Sequence, residues 1–208
     1  MPLGDSPAYL IVLKVEYTEG EPELYLLPVA FATGERASQL SADPAKPVIA
    51  ALEHVGALQA PPMVAYDALA SAEFRSALLD GIGRRRSYKG LQGVAVSHRT
   101  RGVYTRMRGP VQDRLESTLL RTEQSNSSVV YGDRFVLKLY RRLEEDISPE
   151  LEIGRYLTER QPFANVPRVA GALEYLTSPA AQPVALAVLH TFVRNEGNAW
   201  QYTLDALG

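Results

Sequence analysis

Val136-Leu137-Lys138-Leu139-Tyr140, entered through Arg134-Phe135, is the stretch on which the fold turns. Phe135, Leu137 and Leu139 fall on one face and Val136, Lys138 and Tyr140 on the other, the period of two that marks a strand with one dry face. By default a lysine at mid-strand lays its stem along the sheet and keeps its ammonium in water. Upstream come a strand over Leu119 to Thr122, the polar loop Glu123-Gln124-Ser125-Asn126-Ser127-Ser128, a strand over Val129 to Tyr131, and a tight turn at Gly132-Asp133. Small polar residues between paired strands can lay backbone N–H groups and hydroxyls along a phosphate chain. A lysine in the middle of the next strand is then placed to touch phosphate oxygens.

Downstream, the acidic run Glu144-Glu145-Asp146 leads to Ser148 as helix N-cap and Pro149 at the first helical position. The helix carries two acids, Glu150 and Glu152, and either could fix the rotamer of Lys138 by an ion pair. Glu152 is expected to do so, because it lies further into the helix between apolar neighbours, and Glu150 is expected to be a carboxylate stabilised by the helix dipole. Val169 to Tyr175 and Pro183 to Phe192 read as two more strands, the second nearly all apolar and hence covered on both faces. A connection containing Gly197 follows, and Asn198 is a candidate cap for a last helix. Five strands with one helix inserted after the third is the layout of a kinase N-lobe, in which the connection after strand five meets adenine.

Working toward the N-terminus, Tyr9 to Tyr17 alternates as a strand, Thr18-Glu19-Gly20-Glu21-Pro22 is a turn, and Leu24 to Ala32 is a second strand, which together predict an antiparallel hairpin. Residues 36 to 47, with Pro44 and Pro47, are expected to be irregular or to form one short turn. Val48 to Leu52 and Met63 to Tyr66 follow as strands. Ser71 caps a helix whose ladder is Ala70, Phe74, Leu78 and Ile82, with Arg84, Arg85 and Arg86 at its C-terminal end. Leu91 to His98 and Val103 to Met107 complete an antiparallel sheet with a helix on one face, an α+β arrangement.

The 208 residues suggest one large domain or two small ones, and 46% hydrophobic with 22% charged residues is ordinary for a soluble globular chain. A formal charge of -2 gives no global drive toward nucleic acid or anionic lipid. The eight basic residues between Gly81 and Gln112 (Arg84, Arg85, Arg86, Lys89, Arg99, Arg101, Arg106, Arg108) lack aromatic interleaving and read as a solvated face. With no Cys, disulfides and thiolate chemistry are excluded, and the three His show no metal-ligand spacing. No apolar run is long enough to cross a membrane and no signal peptide is present, so a cytoplasmic protein is expected.

The segments Glu123 to Leu143, Pro149 to Leu157, Val166-Pro167, Gly171 to Tyr175, Phe192-Val193 and Ala199-Trp200 resemble, in that order, the nucleotide-binding part of bacterial maltokinases. Tyr25-Leu26-Leu27-Pro28, Gly34-Glu35-Arg36-Ala37 and Tyr66-Asp67-Ala68-Leu69 resemble the same family's N-terminal cap. The resemblance implies a cystatin-like antiparallel cap sheet with one helix over residues 1–110. A kinase N-lobe of about five antiparallel strands and one main helix is implied over residues 111–208. It implies ATP and Mg²⁺ as cofactors and phosphorylation of maltose to maltose 1-phosphate. In that likeness Ser125, Asn126, Ser127 and Ser128 cover the phosphates, Lys138 contacts them and pairs with Glu152, and Thr191 to Val193 meet adenine.

This sequence departs from the resemblance at Ser127, where Thr is expected, and at Asn198, where Asp is expected. Catalysis in such kinases uses a carboxylate and Mg²⁺ ligands from a second lobe. Only Gln201 to Gly208 follow Trp200, so the chain by itself is expected to assign no catalytic residue, to bind ATP weakly and to lack turnover. Its implied partners are the second lobe and trehalose synthase, with a second copy of itself as a further candidate. A related sugar or aminoglycoside kinase and a non-enzymatic docking module are the competing expectations.

Overall fold

The computed structural model describes residues 1–3, 7–42, 48–53, 61–110, 113–120, 125–195, 197 and 199–207, and it is an α+β molecule built on two antiparallel sheets. The smaller sheet holds β1 (Ala8–Val15), β2 (Glu23–Thr33), β3 (Val48–Leu52) and β4 (Met63–Asp67) in the order β1-β2-β4-β3. The expected hairpin is present, with Ala8 opposite Ala30 and Val15 opposite Glu23.

Two segments are helical where the sequence predicts otherwise. Gly34–Ala42 is a helix, α1, where irregular chain is expected. Glu35 accepts a hydrogen bond from Gln39 one turn on (3.2 Å), Ala37 is buried, and both prolines lie beyond the helix end. Helix α2 (Ala72–Gly83) begins as expected: the Ser71 hydroxyl accepts from the Phe74 N–H at 3.2 Å, and Phe74, Leu78 and Ile82 are buried. The second difference is Val103–Arg108, a short helix α3 in place of a strand. Gly102, at φ +83°, turns the chain into it, and Tyr104 is then buried against Phe135 with the rings stacked 5.3 Å apart. The β-favouring Val-Tyr-Thr run yields to that packing.

The larger sheet contains β5 (Ser87–Lys89), β6 (Val94–Arg99), β7 (Ser117–Leu120), β8 (Asn126–Tyr131), β9 (Phe135–Tyr140), β11 (Val169–Leu176) and β12 (Val184–Thr191). Their order is β5-β6-β11-β12-β9-β8-β7, while β10 (Arg142–Leu143) crosses back to pair with β2. The five strands that residues 111–208 contribute to the larger sheet therefore lie in the spatial order first, second, third, fifth, fourth. The expected boundary at residue 110 does not follow the sheets, because β5 and β6 extend the larger sheet beside β11 and β10 joins the smaller one.

One continuous core explains this interleaving. Leu10 and Leu26 of the small sheet, Phe74, Leu78 and Ile82 of α2, and Phe135, Leu137, Leu139 and Leu189 of the large sheet belong to a single buried cluster. Each such side chain contributes about 1.5–3 kcal/mol by leaving water. Polar ties reinforce the contact. Arg75 on α2 is buried and donates to the Leu69 carbonyl (2.6 Å) and to the hydroxyl and carbonyl of Ser117 (both 2.9 Å). Arg141 links Asp67 of β4 (2.5 Å) to the Ser127 hydroxyl of β8 (2.9 Å). No described helix is long and apolar enough to cross a membrane.

Candidate functional site

Strand β9 separates two environments. Phe135, Leu137 and Leu139 are fully buried in the main core, and Val136, Lys138 and Tyr140 are half-buried on the opposite face. On that face Lys138 lies between Ser128 of β8 and Val188 of β12 in register. Helix α4 (Pro149–Arg155) covers the face, resting Leu151 on a second apolar cluster of Val169, Ala172, Ala185 and Val188.

The Lys138 ammonium donates to Glu150 Oε2 at 2.7 Å, and the expected pairing with Glu152 is not what the structure holds. The helix begins as expected, with Pro149 in its first turn and the Ser148 hydroxyl accepting from Leu151 N–H at 3.4 Å. Residues two apart on a helix diverge by about 200°, so Glu150 and Glu152 cannot both face the sheet. Burial of Leu151 sets the helix phase; Glu150 turns toward Lys138, while Glu152 and Ile153 face water. Apolar neighbours in sequence were thus a poor guide to which acid turns inward.

Two further donors converge on the same carboxylate. The Tyr140 hydroxyl donates to Oε2 at 2.9 Å and His190 Nε2 lies 3.2 Å from Oε1. The His190 contact, followed by those of Lys138 and Tyr140, holds the Glu150 carboxyl at about 2, against a burial effect that works the other way. Burial and the Glu150 acceptor push the Tyr140 phenol upward, against an opposing contact with Ser148. The Lys138 ammonium also stands 5.5 Å from the centre of the Tyr140 ring. Its two other N–H donors have no protein partner among the described residues. Tyr140 and His190 were not singled out from sequence. Tyr140 was within reach, being two residues from Lys138 on one strand face; His190 comes from a strand whose register the sequence does not state.

The serine-rich segment is not the loop expected. Asn126, Ser127 and Ser128 are the first residues of β8, paired with Tyr140, Leu139 and Lys138, while Glu123 and Gln124 lie outside the described residues. Pairing with β9 overrides the weak strand preference of Ser and Asn, and Ser128 also pairs with Leu120 of β7. Alternation then splits the four residues. Ser128 shares the Lys138 face and is buried, whereas Ser127 faces the other way and is held by Arg141. Ser125 and Asn126 line a cavity of about 380 Å³ together with Tyr140, Glu144, Ser148 and Glu150.

At the end of β12, Thr191 and Arg168 bond reciprocally: the Thr191 N–H donates to the Arg168 carbonyl (2.9 Å) and the Thr191 hydroxyl accepts from the Arg168 N–H (3.0 Å). The Phe192 N–H donates to the Arg134 carbonyl (2.8 Å), and the Val193 carbonyl accepts from Asn195 (3.1 Å). The N–H of Thr191 and the carbonyl of Val193, both in the segment expected to meet adenine, are therefore engaged within the chain. Val193 itself is exposed, and Asn198 lies outside the described residues.

At the far end of α4, Arg155 forks onto Glu174 of β11 (2.6 and 3.4 Å), with His98 Nε2 of β6 at 3.6 Å from the same carboxylate. Among the described residues no group of three or more His, Asp or Glu is arranged to hold a metal ion.

No protein-family model matches the chain. Among solved structures it is similar to glucosamine kinases. One crystal form gives a TM-score of 0.48 at 19% identity, covering 99% of this chain and 37% of that one. A glucosamine kinase in complex with glucosamine, ADP and inorganic phosphate gives 0.49 at 16% identity, covering 96% and 39%. A second crystal form gives 0.45 at 18% identity, covering 96% and 38%. The chain thus spans under two-fifths of the length of these kinases.

Proposed function

We propose that this chain is the nucleotide-binding part of an ATP-dependent sugar kinase, with maltose as the acceptor. The observation that carries the proposal is the Lys138–Glu150 pair, formed between the third strand and the following helix of a sheet ordered first, second, third, fifth, fourth. That arrangement is how protein kinases hold the lysine that grips nucleotide phosphates. The residues suit such a polyanion. Lys138 has two donors uncommitted among the described residues, and the Asn126 amide and the Ser125 hydroxyl lie at the rim of the same face.

In this proposal ATP supplies the phosphoryl group, Lys138 neutralises and orients its phosphate oxygens, and Glu150 fixes the lysine. Maltose as acceptor, Mg²⁺ as the accompanying metal, and trehalose synthase as a partner rest on the resemblance of the sequence to maltokinases.

The test is phosphate transfer from ATP to maltose by the product of the complete reading frame, with and without Lys138→Ala. Turnover by the wild type and a loss of about 10²-fold or more in the variant are expected, the scale of deleting one charge-stabilising donor. Wild-type turnover that survives Lys138→Ala to within a few-fold would overturn the proposal, and so would a wild type that transfers phosphate to no sugar.

A further inference from the structure

We infer that Tyr140 and His190 are positioning residues, which hold the Glu150 carboxylate by both oxygens so that Lys138 keeps its free donors for polyphosphate. The inference rests on the nucleotide-binding proposal for the same site and goes further by naming what makes the lysine competent.

A lysine and a carboxylate alone form a loose pair. The ammonium is a point charge with three equivalent donors, and it can swing from one carboxylate oxygen to the other or be drawn off by solvent. Here the carboxylate cannot turn. Oε2 takes Lys138 and Tyr140, while Oε1 takes His190 from β12, so three elements meet on one group. The Tyr140 ring, next on the same face of β9, also limits the ammonium from its other side at 5.5 Å.

The chemistry of the two added donors matters as much as their place. His190 Nδ1 is buried with no hydrogen-bond partner among the described residues, whereas Nε2 meets Glu150. With the proton on Nε2, the orphan is a bare acceptor; a proton on Nδ1 would bury an N–H with nothing to receive it. The phenol and this tautomer of the imidazole are both neutral donors. They orient the carboxylate without adding a second cation that would compete with Lys138 for phosphate, as an arginine in either place would.

The test begins with carbon-13 NMR titration of the Glu150 side chain in the 208-residue chain. In the wild type the carboxyl titrates far below the ordinary range. Tyr140→Phe and His190→Ala should each move it upward, and His190→Gln, whose amide can reproduce the Nε2 donor, should restore most of the wild-type value. Tyr140→Phe keeps the ring and its packing, so the experiment holds even where His190→Ala does not fold. In the product of the complete reading frame, each of the two deletions should raise the KM for ATP about tenfold with kcat changed far less, the effect expected of one lost hydrogen bond to a charged group.

A Glu150 titration unmoved by Tyr140→Phe, or a KM unmoved by both deletions while Lys138→Ala abolishes turnover, overturns the positioning role alone. Turnover indifferent to Lys138→Ala overturns the nucleotide-binding proposal instead, and the carboxyl titration still reads the clamp directly.

Discussion

The two ends of α4 carry the same elementary interaction to opposite effect. At its start Glu150 is half-buried, meets a lysine, and leaves that lysine with donors to spare. Near its end Arg155 reaches Glu174, which is only 7% exposed, and the guanidinium fork contacts both oxygens at 2.6 and 3.4 Å. A planar fork matched to a carboxylate is a finished interaction. At the other end the carboxylate is shared among a lysine, a phenol and an imidazole, and the lysine spends one donor on it. Arg155 and Glu174 thus staple α4 to β11, whereas the lysine pair at the other end leaves donors unused among the described residues.

The largest effect is expected of Arg155→Ala. It leaves Glu174 buried with only the longer His98 contact at 3.6 Å, and removing one partner of a buried pair typically costs about 3 kcal/mol or more. Because Arg155 is itself partly exposed, about 2–3 kcal/mol is expected from urea unfolding. The double replacement Arg155→Met with Glu174→Leu should recover most of that loss, since no charge is then left stranded. A single variant as stable as the wild type would mean that the staple holds nothing.

A smaller effect is expected between the two ends, at Gly154. A Cβ there would stand 2.6 Å from Val169 Cγ2 on β11, so the glycine lets the helix press onto the sheet. Alanine would add about 1 kcal/mol of helix preference but must push α4 outward, and a net destabilisation of about 1–2 kcal/mol is expected. Both ion pairs should loosen together, seen as faster amide exchange at Leu151 and at Tyr175. Unchanged exchange at either end would show that α4 does not move as one body.

What could be seen in the sequence follows the range of the interactions involved. The alternation of Phe135 to Tyr140, the Ser71 cap and the Ser148-Pro149 helix start are local signals, and each element stands where they predict it. Gly34–Ala42 and Val103–Arg108 escape a local reading because their helices follow from where Ala37 and Tyr104 are buried, which no local pattern states. The same limit applies at the site. That Lys138 needs an acidic partner from the next helix was visible, but the choice between Glu150 and Glu152 depends on how the helix rolls over Val169, Ala172 and Val188. His190 reaches the carboxylate only through the register of β12 on β9, and the joining of β5 and β6 to the larger sheet is likewise a matter of long-range pairing.

The smallest effect is expected from pH, at the Glu150 end of α4. Glu150 titrates at about 2 in the folded chain against an ordinary value of 4.5, held down chiefly by His190 and then by Lys138 and Tyr140. A carboxyl depressed by folding stabilises the native state fully above its unfolded value, and that contribution fades as pH falls through the folded one, because the unfolded chain takes up the proton first. Glu150→Gln cannot titrate. Its stability difference from the wild type should therefore shrink steadily between about pH 4.5 and pH 2. The shrinkage should be modest, since solvent reaches the pair and screens it. Chemical unfolding of both proteins across that window measures it, and a difference that stays flat down to about pH 3 would place the stabilising contacts of Glu150 in its shape and hydrogen-bonding capacity and not in its charge.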